Sequence, residues 1–181
     1  MDEAAERDII RRCRDGDEAA FATLVDEYKN LVFGLATRLT GDRDVADDLA
    51  QEVFLRVHRG LPYFRGEARL GTWIYRIVAN LASESRFRQR AGVSLDDPDD
   101  ARARRALAAD DTSHAELELR DRLEKAIARL PDNYRLLVSG HYLHGVRYED
   151  LAAAAGVPLG TVKTHLHRAK RMLRQMLETE L

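Results

Sequence analysis

The 181-residue chain predicts an all-α fold: two small helical domains joined by an acidic linker, the second containing a helix-turn-helix. Three observations predict it. Apolar residues recur at helical spacing almost throughout, and no segment shows the two-residue alternation of a half-buried strand. Gly41-Asp42, Gly60-Leu61-Pro62, Gly145 and Gly156 cut that pattern into helix-length pieces. From Ala91 to about His114 the text "AGVSLDDPDDARARRALAADDTSH" is acidic and Ala-rich without a durable apolar stripe, as a connector would be. The expected division is residues 1–90, 91–114 and 115–181.

Helices are expected over 17–40, 45–59, 71–89, 115–129, 133–143, 149–155 and 159–177. The first ends at Gly41-Asp42. In the second, "DVADDLAQEVFLRVHRG", Ala46, Leu49, Ala50, Val53 and Val57 form the core stripe. Trp73, Ile74, Ile77, Val78 and Leu81 form that of the third. The 133–143 helix is interrupted by Ser139-Gly140, where Gly costs ~1 kcal/mol relative to Ala. The last two helices are set by Ala152, Gly156 and Val162: a small residue, a turn glycine four later, and an aliphatic six beyond that. Helix-turn-helix units need this spacing, because the helices approach closely and Gly permits a positive φ between them. Pro158 suits the opening of the second of these helices.

Composition places the chain among soluble globular proteins, at 45% hydrophobic and 33% charged. Charged residues interrupt every candidate membrane span. The opening "MDEAAERDII" is too acidic and polar for a secretory signal. The single Cys13 allows neither an intramolecular disulfide nor a CxxC knuckle, and a partly buried, inert thiol is expected there. A cytoplasmic protein is expected.

Net charge is only −2, but it is segregated. Residues 42–52 hold five acids against Arg43, and 65–90 hold six Arg against Glu67 and Glu84. Residues 94–113 hold six Asp against three Arg, and 161–175 hold five bases and no acid. Any one block is ordinary for a solvated helix face. Four alternating blocks suggest surfaces for different partners, two of them polyanions.

The C-terminal block is the most specific. Val162, Leu166, Ala169 and Leu173 fall on one side of their helix, while Thr164, His167, Arg168 and Arg171 centre on the other, flanked by Lys163 and Arg174. Such a face fits the major groove, with base edges and phosphates in reach. In "YFRGEARLGTWIYRIVANLASESRFRQR", Arg69, Arg76, Asn80, Ser83, Phe87 and Arg90 share a second face. Bases interleaved with aromatics suit a single strand. Tyr63 and Phe64 precede the polar loop "RGEARLG", which would form one wall of a base pocket. On the acidic helix, Asp44, Asp47, Asp48, Gln51, Glu52 and Leu55 gather opposite the core stripe. Nucleic acid would be repelled there, whereas a basic protein surface would find Leu55 as an apolar centre. The helix dipole accounts for the three Asp but not for Leu55.

These features, in this order, resemble bacterial sigma factors of the extracytoplasmic-function (ECF) group of the sigma-70 family. "DDLAQEVFLRVHRGLPYFRGEARLGTWIYRIVANLA" is similar to the family's region 2, and "LPDNYRLLVSGHYLHGVRYEDLAAAAGVPLGTVKTHLHRAKRML" to its region 4. The resemblance implies that Asp47, Asp48, Gln51, Glu52 and Leu55 dock on core RNA polymerase, whose β and β′ subunits are the partners. It implies that Phe64, Arg65, Gly66, Glu67, Arg69, Arg76, Asn80, Phe87 and Arg88 bind the opened −10 strand and capture a flipped base. Thr161, Lys163, Thr164, His167, Arg168 and Arg171 would read the duplex −35 element of promoter DNA, with Lys170, Arg171 and Arg174 toward phosphates. The acidic linker would thread polymerase channels, and an anti-sigma factor would be the inhibitor.

The sequence departs from the family pattern at Arg147, where a capping Ser is common, and at Ser139-Gly140, His58, His165 and His167. Two other readings compete on the residues alone: a helix-turn-helix regulator with a helical sensing or dimerising domain, and a pure interaction module at the N-terminus. No cofactor is expected. A metal site is disfavoured: His165 and His167 diverge around their helix, and His141 with His144 lacks a nearby third ligand. No catalytic motif appears, so no enzyme activity is expected.

Overall fold

The computed structural model describes the backbone of residues 2–91 and 114–179, and the side chains of 2–84 and 118–179. Among these residues the fold is all-helical. The helices are α1 (Glu3–Arg14), α2 (Glu18–Thr40), α3 (Arg43–Gly60), α4 (Leu70–Ala91), α5 (His114–Ala128), α6 (Asp132–Val138), α7 (Tyr148–Ala155) and α8 (Leu159–Thr179). A 3₁₀ turn, Leu61–Tyr63, follows α3, and a π-helical turn, Ser139–Leu143, follows α6. Nearly all of the expected linker lies outside the described residues.

Local chemistry sets the helix starts. Asp2, Asp17 and Asp42 each accept the backbone N–H three residues on, capping α1, α2 and α3. Each such cap contributes about 1 kcal/mol. Helix α7 has no side-chain cap at Arg147, the position where the sequence lacks the usual Ser. Gly156 ends α7 in the left-handed region at φ 64° and turns the chain into α8.

Helices α2, α3 and α4 pack on one another through Leu24, Val32, Leu35, Val53, Val57, Ile74 and Val78, all buried. Ile9 and Ile10 hold α1 against this group. Helices α6, α7 and α8 pack through Leu136, Leu137, Leu151, Val162, Leu166 and Ala169. The two halves then join. Helix α4 packs on α7 and α2 on α6, so the buried apolar side chains form one continuous core. Between the halves, Arg38 makes a two-pronged ion pair with Glu124, at 2.6 and 3.0 Å. Arg135 donates to the carbonyl oxygens of Arg38, Ala128 and Leu130, near the ends of α2 and α5. Helix C-termini leave such carbonyls without partners, and a guanidinium matches their partial negative charge.

Candidate nucleic-acid interface

Helix α8 buries Val162, Leu166 and Ala169 and turns Lys163, Thr164, His167, Arg168 and Arg171 outward. Thr161 is half-buried at the first turn. The Thr164 hydroxyl donates to the Gly160 carbonyl across 2.9 Å, so its proton is used within the helix and its lone pairs face out. His165, by contrast, packs edge-on against Tyr134 of α6, with ring centroids 5.0 Å apart. That inward contact separates it from the exposed His167.

The loop before α4 is exposed at Arg65, Gly66, Glu67 and Arg69. Phe64 departs from the −10 strand contact expected of it. Its ring is 8% exposed and lies 5.0 Å from that of Trp73, so it fills the core beneath the loop. A buried ring cannot stack on a base. Tyr63 is 83% exposed and presents the aromatic surface there instead. A periodicity argument could not separate the two neighbours, because a 3₁₀ turn decides which points inward. Asn80 and Ser83 are exposed on α4. Arg76, on the same helix, forms an ion pair with Asp150 of α7. The side chains of Phe87 and Arg88 lie outside the described residues.

On α3, Asp48, Gln51 and Leu55 are exposed, with Asp47 and Glu52 half-buried. Leu55 keeps 51% of its surface in solvent. Arg56 bridges Glu52 at 3.0 Å to Glu84 of α4 at 3.1 Å, which fixes one edge of this face. Half-burial pushes the Cys13 thiol up, the direction of an unreactive thiol. No group of three metal-ligating side chains occurs among the described residues.

An all-helical frame carrying a basic helix-turn-helix face and a separate Arg-rich loop defines a nucleic-acid-binding protein. Residues 24–92 match the family Sigma-70 region 2, and residues 120–173 match Sigma-70, region 4. The ECF RNA polymerase sigma factor SigW of Bacillus subtilis is 30% identical over 93% of this chain and 94% of its own length. The RNA polymerase sigma-H factor of Pseudomonas aeruginosa is 31% identical over 96% of this chain and 94% of its own. The fold is similar to that of the sigma factor RpoE of Bartonella quintana, solved in complex with the anti-sigma factor NepR. That likeness has a TM-score of 0.66 at 24% identity, covering 89% of this chain and 98% of the other.

The chain belongs to the ECF RNA polymerase sigma factors. It is a promoter-recognising transcription initiation factor that works with core RNA polymerase and promoter DNA.

Proposed function

We propose that the three exposed faces divide the work of initiation. The outer face of α3, with Asp47, Asp48, Gln51, Glu52 and Leu55, docks on core polymerase. The loop 65–69 and α4, through Arg65, Glu67, Arg69, Arg76, Asn80, Phe87 and Arg88, hold the opened −10 strand. The α8 face reads the −35 duplex through Lys163, Thr164, His167 and Arg168, while Arg171 holds phosphate. One observation carries this reading: an acid-rimmed Leu55 and a basic helix-turn-helix face stand exposed on one frame. A regulator that bound DNA alone would leave Leu55 without a use.

Extruding a base costs a few kcal/mol of stacking and pairing, which loop contacts must offset, and that requirement gives base selectivity. Lone-pair acceptance by Thr164 favours a base edge that presents an amino group. Catalysis belongs to the polymerase, and the protein itself is not an enzyme. The division into 1–90, 91–114 and 115–181 assigns the −10 and −35 roles to the first and last segments. A cytoplasmic location follows from that work, and no described helix is long and apolar enough to cross a membrane. The inhibitor is an anti-sigma factor, as in the complex of the B. quintana relative.

The packed halves bear on reach. The −35 and −10 elements lie roughly 25 base pairs apart, or about 85 Å of duplex at 3.4 Å per pair. A compact chain of this length has a radius of gyration of about 16 Å. Engaging both elements therefore requires the halves to separate. The test is transcription from total bacterial DNA by core polymerase, with and without the protein, mapping every RNA 5′ end. Protein-dependent starts preceded by spaced −35 and −10 sequences are expected. Their absence with a compatible core enzyme would overturn the assignment.

A further inference from the structure

The loop between the 3₁₀ turn and α4 is held at both ends by a helix outside the region 2 match, which begins at residue 24. At one end, the Arg14 guanidinium donates from Nε to the Leu61 carbonyl oxygen, 3.4 Å away, and from Nη2 to the Phe64 carbonyl oxygen. At the other, Glu6 Oε1 accepts the Leu70 backbone N–H at 2.9 Å, while its Oε2 accepts the Tyr28 hydroxyl at 3.4 Å. Leu70 is the first residue of α4, and Arg69 before it has no side-chain oxygen to serve as a cap. The first N–H groups of a helix lack partners within it, and a carboxylate is suited to that position. Glu6 supplies from another helix what the local sequence omits. Glu6 and Arg14 stand eight residues apart on α1, about 12 Å along its axis, so each reaches one end of the loop. Ile9 and Ile10, buried between them, fix α1 to the core. Tyr28, the second partner of Glu6, is half-buried and packs against Gly71, where an added Cβ would lie 3.1 Å from its ring. The exposed residues 65–69 thus hang between two anchored ends.

We propose that α1 is the positioning element of this loop: Glu6 and Arg14 set where residues 65–69 stand and thereby which −10 base they accept, without touching DNA. The inference rests on reading the loop as the base pocket. Pre-placing a loop lowers the ordering cost of binding and fixes its contacts at the scale on which base identity is discriminated. The two anchors act by different chemistry. Glu6 needs only an acceptor oxygen at Leu70, which Gln retains. Arg14 needs a fork to reach two carbonyls, which Lys lacks.

The test has two stages with the full-length protein. First, amide hydrogen exchange at Leu70 is measured without DNA. It should speed up in Glu6→Ala and stay near the wild-type rate in Glu6→Gln. Second, each variant is assembled with core polymerase and bound to four single-stranded −10 oligonucleotides differing at the captured base. Glu6→Ala and Arg14→Ala should each lower discrimination between best and worst base by about tenfold. Arg14→Lys should lower it partly, and Glu6→Gln should retain it. Duplex −35 affinity should not change. Undiminished discrimination in Glu6→Ala and Arg14→Ala would overturn the proposal, and so would a parallel loss of −35 binding, the mark of general unfolding. A wild type without base preference would sink the base-pocket reading itself; Leu70 exchange, needing no DNA, would still report whether α1 holds the loop.

Discussion

The Tyr75 hydroxyl of α4 donates a hydrogen bond to the Leu136 carbonyl oxygen of α6 across 2.9 Å, joining the two halves inside the core. Gly140 makes the approach possible. A Cβ there would stand 2.5 Å from the Tyr75 hydroxyl and 2.6 Å from Leu151. Tyr75 is fully buried and cannot retreat. Gly140→Ala should therefore part the halves rather than be absorbed. Small-angle scattering should show a radius of gyration above the compact ~16 Å. Duplex −35 affinity of the free protein should change little, because the α8 face already stands exposed in the packed form. An unchanged radius would mean the interface yields elsewhere.

Arg76 serves two states. In the packed form it pairs with Asp150, and in the proposed open form it meets the displaced strand. Arg76→Glu should abolish promoter opening, read by permanganate reactivity of unpaired thymines, while −35 duplex binding persists. Asp150→Asn should leave opening intact and loosen closure by at most about 1 kcal/mol. Equal opening in wild type and Arg76→Glu would remove Arg76 from the strand-binding face.

His144, after the π-helical turn, is held well below its ordinary 6.5, at about 4, mainly by burial and then by the charge of Arg38, with Glu124 opposing. The packed state holds it neutral, whereas the unfolded chain takes up a proton near pH 6.5. Its contribution is complete above that pH and declines as pH falls toward 4. The melting temperature should drop by a few degrees between pH 7 and pH 5, and His144→Gln should flatten that slope. An identical slope in the variant would assign the effect to other groups.

Leu55 is exposed, so Leu55→Ala should alter stability by no more than about 0.5 kcal/mol. Competition for core polymerase should nonetheless weaken at least about tenfold, as for an apolar anchor at an interface centre. Unaltered competition would leave the acids alone to explain docking.

Seven of the eight helices among the described residues were legible from apolar spacing and turn residues, with ends close to the observed ones. The ends differ where caps decide them: α3 begins at Arg43 because Asp42 caps it, two residues before the start at Val45 that the sequence predicts. Helix α1 has only Ile9 and Ile10 buried, too short a stripe to announce a helix. Its signal was polar instead: Asp2 as cap, Glu3 and Glu6 in the first turn, and Arg11, Arg12 and Arg14 in the last. The 133–143 helix divides at Ser139 into a π-helical turn, and Gly140, a local cost in sequence, proves to be the seat of Tyr75. Tyr75 and Gly140 are distant in the chain, so no local pattern could pair them. Among the site residues, the α8 face and Leu55 stand exposed as periodicity indicates. Phe64 and Arg76 do not stand free, because a 3₁₀ turn buries one and the opposite half engages the other.

The placement of α1 has a practical corollary for protein dissection. A fragment cut at residue 24, where the region 2 match starts, would keep every proposed strand-contacting side chain and discard both loop anchors. Grafting residues 24–92 onto another sigma factor would therefore carry the letters of a promoter preference without the frame that makes them readable. The portable unit starts before Glu6.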